Sequence, residues 1–238
     1  MAIYLVTGAS SGLGEAMSTM LAARGHTVYG IARRQEKLDE MRKLIGDSFI
    51  PFVCDVSDDQ SVAATCEALP EVPDVAILNA GIGIPSSKHD FDMALYRETM
   101  EVNFFGVIRF VHHLFPKMRD RGGKIVGVSS LAGYRGLPMA GPYSASKGAL
   151  TNAFESMAIT YRKYPVQFVT IHPGFVATPM NEKNKFPMPF IWKTERAAEY
   201  MLNGIEKGKA NIEFPIPLRL PTRLATLLPA KLYRAIVK

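Results

Sequence analysis

Ile3-Tyr-Leu-Val-Thr7-Gly8-Ala-Ser-Ser-Gly12-Leu-Gly14, running on into Glu15-Ala-Met-Ser-Thr-Met-Leu-Ala-Ala-Arg24, is the stretch that decides the fold. Ile3 to Val6 is a short apolar, β-branched run and reads as a buried strand. Glu15 to Arg24 reads as a helix, with Gly25 placed to stop it. The glycines therefore sit where a strand hands over to a helix. There, backbone N–H groups and the helix dipole can hold a pyrophosphate, and a Cβ would obstruct its approach. An ordinary βα turn is the plainer reading of the same residues.

The pattern continues outward in βα steps. Thr27 to Ile31 is a second strand ending in Ala32-Arg33-Arg34, and Gln35 to Leu44 a helix. An acidic residue near this point would suit adenosine ribose hydroxyls. Here arginines stand instead, and a guanidinium suits a 2′-phosphate by charge and by its forked donors. Phe49 to Cys54 is a third strand closed by Asp55. Ser57 to Gln60 reads as a capping box with Ser57 as N-cap. Val75 to Leu78 is a fourth strand ending in Asn79-Ala-Gly81. Fully apolar strands alternating with helices predict an α/β domain with a mainly parallel sheet covered on both faces. Asp55 and Asn79 then fall at carboxyl ends of strands, where ligand contact and loop stabilisation are equally open to each.

The second half predicts a long helical region from Met93 to Arg119 with Asn103 in its middle, close to Gly106. Asparagine is a poor interior helix residue, so a kink or special packing is expected there. Lys124 to Val128 is a fifth strand ending in Ser129-Ser130, and a glycine- and proline-rich loop leads into a helix bearing Tyr143-Ser-Ala-Ser-Lys147. Tyr143 and Lys147 are one helical turn apart and share a face. A neighbouring ammonium stabilises phenolate and lowers the tyrosine pKa from its usual value near 10. Ser130 can hydrogen-bond the same oxygen as the phenol.

Thr7-Gly-Ala-Ser-Ser-Gly-Leu-Gly14, Asn79-Ala-Gly81, Val102-Asn-Phe-Phe-Gly106, Val128-Ser-Ser130, Tyr143-Ser-Ala-Ser-Lys147 and Pro173-Gly174 with Thr178 follow one another in an order and spacing that resemble the short-chain dehydrogenase/reductase family. The resemblance covers essentially the first 214 residues. It implies a single-domain, doubly wound Rossmann fold with a seven-stranded sheet, and a catalytic tetrad of Asn103, Ser130, Tyr143 and Lys147. The main-chain carbonyl of Asn103 would hold a water linking Lys147 to solvent. It also implies a nicotinamide dinucleotide, held by Gly8, Ser10, Ser11, Gly12, Leu13, Gly14, Asp55, Val56, Asn79, Ala80, Gly81, Tyr143, Lys147, Pro173, Gly174, Val176 and Thr178. Asp55 would contact the adenine and Thr178 the carboxamide. Members with an arginine where Arg33 stands generally use NADP, and Arg34 is a second candidate. Ser11 departs from the pattern, since many NADP-using relatives carry a basic residue there, so the NADP(H) expectation rests on Arg33 and the missing acid. The implied reaction is hydride transfer between NADPH and a carbonyl or alcohol, with no metal. NAD-dependent oxidation and a non-catalytic nucleotide sensor are the alternatives, and a homodimer or homotetramer is the expected assembly.

Val166 to Ile171 is a sixth strand running into His172, read as a packed strand-end residue. The segment 179–193, with Met180, Phe186, Met188, Phe190 and Trp192, reads as a lid over an apolar substrate. Thr194 opens a capped helix, and Ala210 to Phe214 is a last strand. Residues 215–238 form a basic, apolar extension in which Thr222–Leu228 and Ala230–Val237 suit short amphipathic helices. Packing within the protein is the favoured reading for it, ahead of contact with a neighbouring subunit or an anionic membrane. The net charge of +6 belongs to that extension: removing its five basic residues leaves +1, which gives no support to a nucleic-acid surface. The N-terminus shows no signal-peptide pattern, and no stretch reaches the length of a membrane span. Cys54 and Cys66 fit no metal motif and read as free thiols in a reducing compartment, so a cytoplasmic protein is expected.

Overall fold

In the computed structural model, which describes residues 1–87, 89–182 and 187–237, seven strands form one sheet. The strands are β1 (Ile3–Thr7), β2 (Thr27–Ala32), β3 (Phe49–Val53), β4 (Val75–Leu78), β5 (Gly123–Val128), β6 (Val166–Pro173) and β7 (Asn211–Phe214). Their order is β3-β2-β1-β4-β5-β6-β7, and every pairing is parallel. The sheet expected to be mainly parallel is parallel throughout among the described residues. Period-two alternation sends Tyr4 and Val6 to one face and Leu5 to the other. On the first face the core is completed by α1 (Gly12–Ala23), α2 (Gln35–Ile45) and α7 (Thr194–Glu206), through Met17, Leu21, Leu38, Met41, Met201 and Leu202. On the second face lie α3 (Asp59–Ala68), α5 (Gly106–Met118) and α6 (Gly141–Thr160), through Val62, Phe110, Leu114, Leu150 and Phe154.

Strand order reverses between β1 and β4. That reversal opens a crevice at the carboxyl edge, where β1, β4, β5 and β6 deliver their following loops. The first α-helix ends as the sequence suggests, with Gly25 at φ +81 just past it.

Several local expectations change. The N-cap of α3 is Asp58, whose side chain accepts from the Gln60 N–H, and the Ser57 hydroxyl instead donates to Asp55. The Ser57 hydroxyl is turned toward the Asp55 carboxylate and away from the helix N-terminus, which leaves the Gln60 N–H to Asp58. The long helix around Asn103 is interrupted: α4 (Met93–Met100) passes through a π-helical turn, Glu101–Phe105, before α5 begins. Lys193 precedes α7 without a side-chain cap, and the Thr194 hydroxyl donates to the Ala177 carbonyl. In the extension, α8 spans Ile216–Leu227, starting six residues before Thr222, because Pro217 suits a first helical turn; α9 covers Ala230–Ile236.

Both C-terminal helices are pinned to the loop after β5. Glu213, buried at the end of β7, accepts from the Tyr134 hydroxyl and from Arg223 Nε and Nη2 at 3.0 and 2.7 Å, with Arg219 Nε 3.4 Å away. Arg135 Nη1 donates to the carbonyls of Ala225 and Leu228, and its guanidinium lies 4.0 Å from the Tyr233 ring centroid. Tyr233 in turn donates to the Gly136 carbonyl.

Candidate active site

The glycine loop is shaped by steric exclusion. Gly8 has φ +69, a backbone that favours glycine. A Cβ on Gly14 would stand 2.1 Å from the Gly8 carbonyl oxygen, so α1 can approach the strand only with glycine there. Thr7 staples this loop to the end of β4: its Oγ1 accepts from the N–H groups of Asn79 and Ala80, each at 2.9 Å. Asn79 Nδ2 donates to the Thr7 carbonyl at 3.0 Å. Loop stabilisation is thus a role Asn79 performs. From the far side, Thr178 crosses over the loop, and its methyl carbon would be 3.3 Å from a Cβ on Gly12.

Arg33 and Arg34 diverge at the end of β2. Arg33 is 65% exposed, with Nη1 3.8 Å from Asp55 Oδ2. Arg34 Nη2 donates to Ser10 Oγ in the glycine loop at 3.1 Å. Burial raises the Asp55 pKa, but two hydrogen bonds from Ser57, and then Arg33, outweigh it and hold the carboxyl below its usual range. Two cations therefore flank the glycine loop where an acid would flank it for an unphosphorylated ribose.

Deeper in the crevice, the π-helical turn carries Asn103 fully buried. Its Oδ1 accepts from the Ile82 N–H at 2.7 Å, and its Nδ2 donates to the Ile82 carbonyl at 2.9 Å and to Ser146 Oγ at 3.1 Å. The side chain thereby fixes the loop after Gly81. Lys147 is buried, with Nζ donating to the Val128 carbonyl at 2.8 Å, and burial lowers its pKa to about 8. The Ser129 hydroxyl holds the Lys147 carbonyl at 2.8 Å. Ser130 Oγ accepts from the Ala132 N–H and faces the Pro173 carbonyl at 3.3 Å.

Tyr143 lies one turn before Lys147, whose Nζ is 5.7 Å from the phenol ring centroid. Burial raises the Tyr143 pKa and a hydrogen bond with Ser130 partly opposes the rise. The expectation that Lys147 depresses this pKa is not met: the ammonium is directed at Val128, and desolvation dominates both groups. A Cβ on Gly83 would contact Met180 Sδ at 3.2 Å and Tyr143 Cδ2 at 3.8 Å, so Met180 borders the same pocket.

The cradle suits a dinucleotide. Glycines 8, 12 and 14 leave room at the N-terminus of α1, Ser11 makes no side-chain cap there, and cations stand beside the loop.

A family model described as short chain dehydrogenase matches residues 2–187. The chain belongs to the short-chain dehydrogenase family. Among relatives, an uncharacterized oxidoreductase of Myxococcus xanthus is 37% identical, over 97% of this chain and 94% of its own. The NADPH-dependent pterin aldehyde reductase of Arabidopsis thaliana is 34% identical, over 84% of this chain and 87% of its own. Among solved structures, a short chain dehydrogenase from Burkholderia cenocepacia in complex with NADP superposes with a TM-score of 0.88 at 24% identity, over 100% of this chain and 98% of that one.

Within this short-chain dehydrogenase, the remaining expected residues are distributed unevenly. Gly81 lies in the pocket, where its Cβ would be 3.1 Å from Asn103 Oδ1 and 3.4 Å from Lys147 Nζ. Pro173 ends β6, and the Gly174 N–H donates to the Phe214 carbonyl. Val56 packs its side chain against Gly106, and Val56 and Val176 are both buried. Leu13 packs partly on the core. His172 is buried and stacked on Tyr134 at 4.8 Å, and burial pushes its pKa down to about 4, as suits a packed strand-end residue. Of the lid segment, Phe186 lies outside the described residues, and Trp192 stacks on Phe214 at 4.9 Å. The sequence reading missed Thr7 and Ser146 as organising residues. Thr7 had a signal, a hydroxyl at the end of an otherwise apolar strand; Ser146 had none beyond its place in the Tyr143–Lys147 segment.

Proposed function

We propose that this protein is an NADP-dependent oxidoreductase that interconverts a carbonyl and an alcohol, reducing an apolar ketone, aldehyde or 3-oxoacyl substrate. The observation that carries the reading is the meeting of Ser130, Tyr143 and Lys147 at the carboxyl edge, beside the glycine loop. The dinucleotide, when bound, supplies hydride to the carbonyl carbon. Tyr143 donates its proton to the developing alkoxide, and Ser130 hydrogen-bonds the same oxygen. Burial raises the Tyr143 pKa, so the phenol holds its proton at neutral pH and has one to give. Lys147 would bind the nicotinamide ribose, and the main-chain carbonyl of Asn103 would hold the water through which Lys147 recovers a proton. Arg33 and Arg34, which stand at the end of β2 where an acid would serve an unphosphorylated ribose, support a 2′-phosphate, as does the NADPH dependence of the pterin aldehyde reductase. Free, buried Cys54 and Cys66 support a reducing, cytoplasmic setting.

The test is NADPH oxidation over a panel of ketones and aldehydes, alongside titration with both coenzymes. Tyr143→Phe is expected to lower turnover on any accepted carbonyl by about 10²- to 10⁴-fold while NADPH binding persists. Undiminished turnover in that variant sinks the mechanism, and tighter binding of NADH than NADPH replaces it with NAD-dependent alcohol oxidation.

A further inference from the structure

The residues of α8 divide sharply. Leu218, Thr222 and Ala225 turn toward the body of the protein, whereas Ile216, Leu220, Leu224 and Leu227 are 51–80% exposed and recur at spacings of three and four. That spacing puts all four on one helical face. Leu232 and Ile236, four apart on α9, are 49% and 63% exposed. Neither helix contains a buried residue. At the start of α8 the stripe meets an open groove of about 680 Å³, lined by Phe190, Ile191, Trp192, Phe214, Ile216 and Pro217 among others. Six large aliphatic side chains and a groove make more apolar surface than isolated exposed residues explain.

Charge selects what covers it. After Glu213 the sequence has five basic residues and no acid, so even with Glu213 counted the segment carries +4. Arg219 and Arg223 are engaged with Glu213, which leaves Lys231 and Arg234 exposed beside Leu232 and Ile236. A second copy docked by the same face would set these like charges against each other. Anionic headgroups above an apolar layer complement both features at once. The segment also lies beyond the residues that the family model matches.

We infer that α8 and α9 form a membrane-docking face, laying Ile216, Leu220, Leu224, Leu227, Leu232 and Ile236 into the surface of an anionic bilayer while Lys231 and Arg234 meet its headgroups. The attachment is peripheral, since no helix among the described residues is long and apolar enough to cross a membrane. Pinning by Arg135 and Tyr233 holds this face beside the loop that follows Ser130.

Flotation of the full-length protein with phosphatidylcholine vesicles, and with vesicles of equal parts phosphatidylcholine and phosphatidylserine, tests the assignment without reference to turnover. The protein should float with the anionic vesicles, less so as salt rises, and poorly with the neutral ones. The triple variant Leu220→Ser, Leu224→Ser, Leu227→Ser should lose flotation, and Lys231→Glu with Arg234→Glu should weaken it about tenfold or more. Both alter exposed side chains, and an unchanged unfolding midpoint certifies their fold. Failure of the wild type to float, equal binding to both vesicles, or equal flotation of the leucine variant overturns the proposal. So does a dimer in sedimentation that the leucine variant dissociates while vesicles leave the wild type unbound, for then a second copy covers the face.

Discussion

The crevice and the C-terminal helices are both rich in cations and apolar groups, yet they are held by opposite means. In the crevice, Asn103, Ser129, Ser146 and Lys147 are buried and tied to backbone groups by hydrogen bonds of 2.7–2.9 Å. The ties to Ile82 fix the loop after Gly81, and the others lock the helix of Tyr143 and Lys147 to the end of β5 or within itself. In α8 and α9 nothing is buried, and a few polar contacts around Glu213 and Arg135 hold two helices whose apolar faces point outward. A site that must fix proton donors uses internal satisfaction. A surface left apolar after folding is available to something else.

Lys147→Met should break the contrast most strongly. Its folded pKa of about 8 lies below its ordinary 10.5, so the unfolded chain binds the extra proton between those values and stability rises with pH across that window. The methionine variant should lose this slope and gain on the order of 3 kcal/mol at neutral pH, less the bond to Val128, while losing activity. Urea midpoints from pH 7 to 10.5 read this directly, and parallel profiles for the two proteins would contradict it. Next comes Asn103→Ala, which strands the Ile82 N–H and carbonyl and should destabilise by about 1–3 kcal/mol. Hydrogen exchange should then localise the loosening to the loop after Gly81, and uniform exchange across the sheet would contradict the local role. Smallest is Arg223→Ala, expected at about 1 kcal/mol or less because the arginine is exposed and Arg219 and Tyr134 still face Glu213. Its visible effect should be faster proteolysis after Phe214 with little change in the global midpoint.

Much of this was legible locally. The apolar runs of β1 and β4, the glycines between β1 and α1, and the four-residue step from Tyr143 to Lys147 each declare a local geometry that tertiary packing had only to keep. What failed were competitions between neighbours. Asp58 caps α3 in place of Ser57, whose hydroxyl is turned toward Asp55. The expected Tyr143–Lys147 coupling yielded to burial, since a shared helix face does not say whether a carbonyl such as that of Val128 will claim the ammonium first.

By itself, then, the sequence determined the parallel α/β order, the membership in a family and the set of residues that could do chemistry. The α/β order follows from periodicity and backbone sterics, which act over a few residues, while the family and its site residues follow from a resemblance in the order and spacing of motifs. Only the tertiary structure decided that Thr7 staples two strand ends, that a π-helical turn lodges Asn103 against Ile82, and that six aliphatic side chains of the tail stay outside. Those outcomes depend on contacts between segments distant in the chain, and on which surface remains once the core is full.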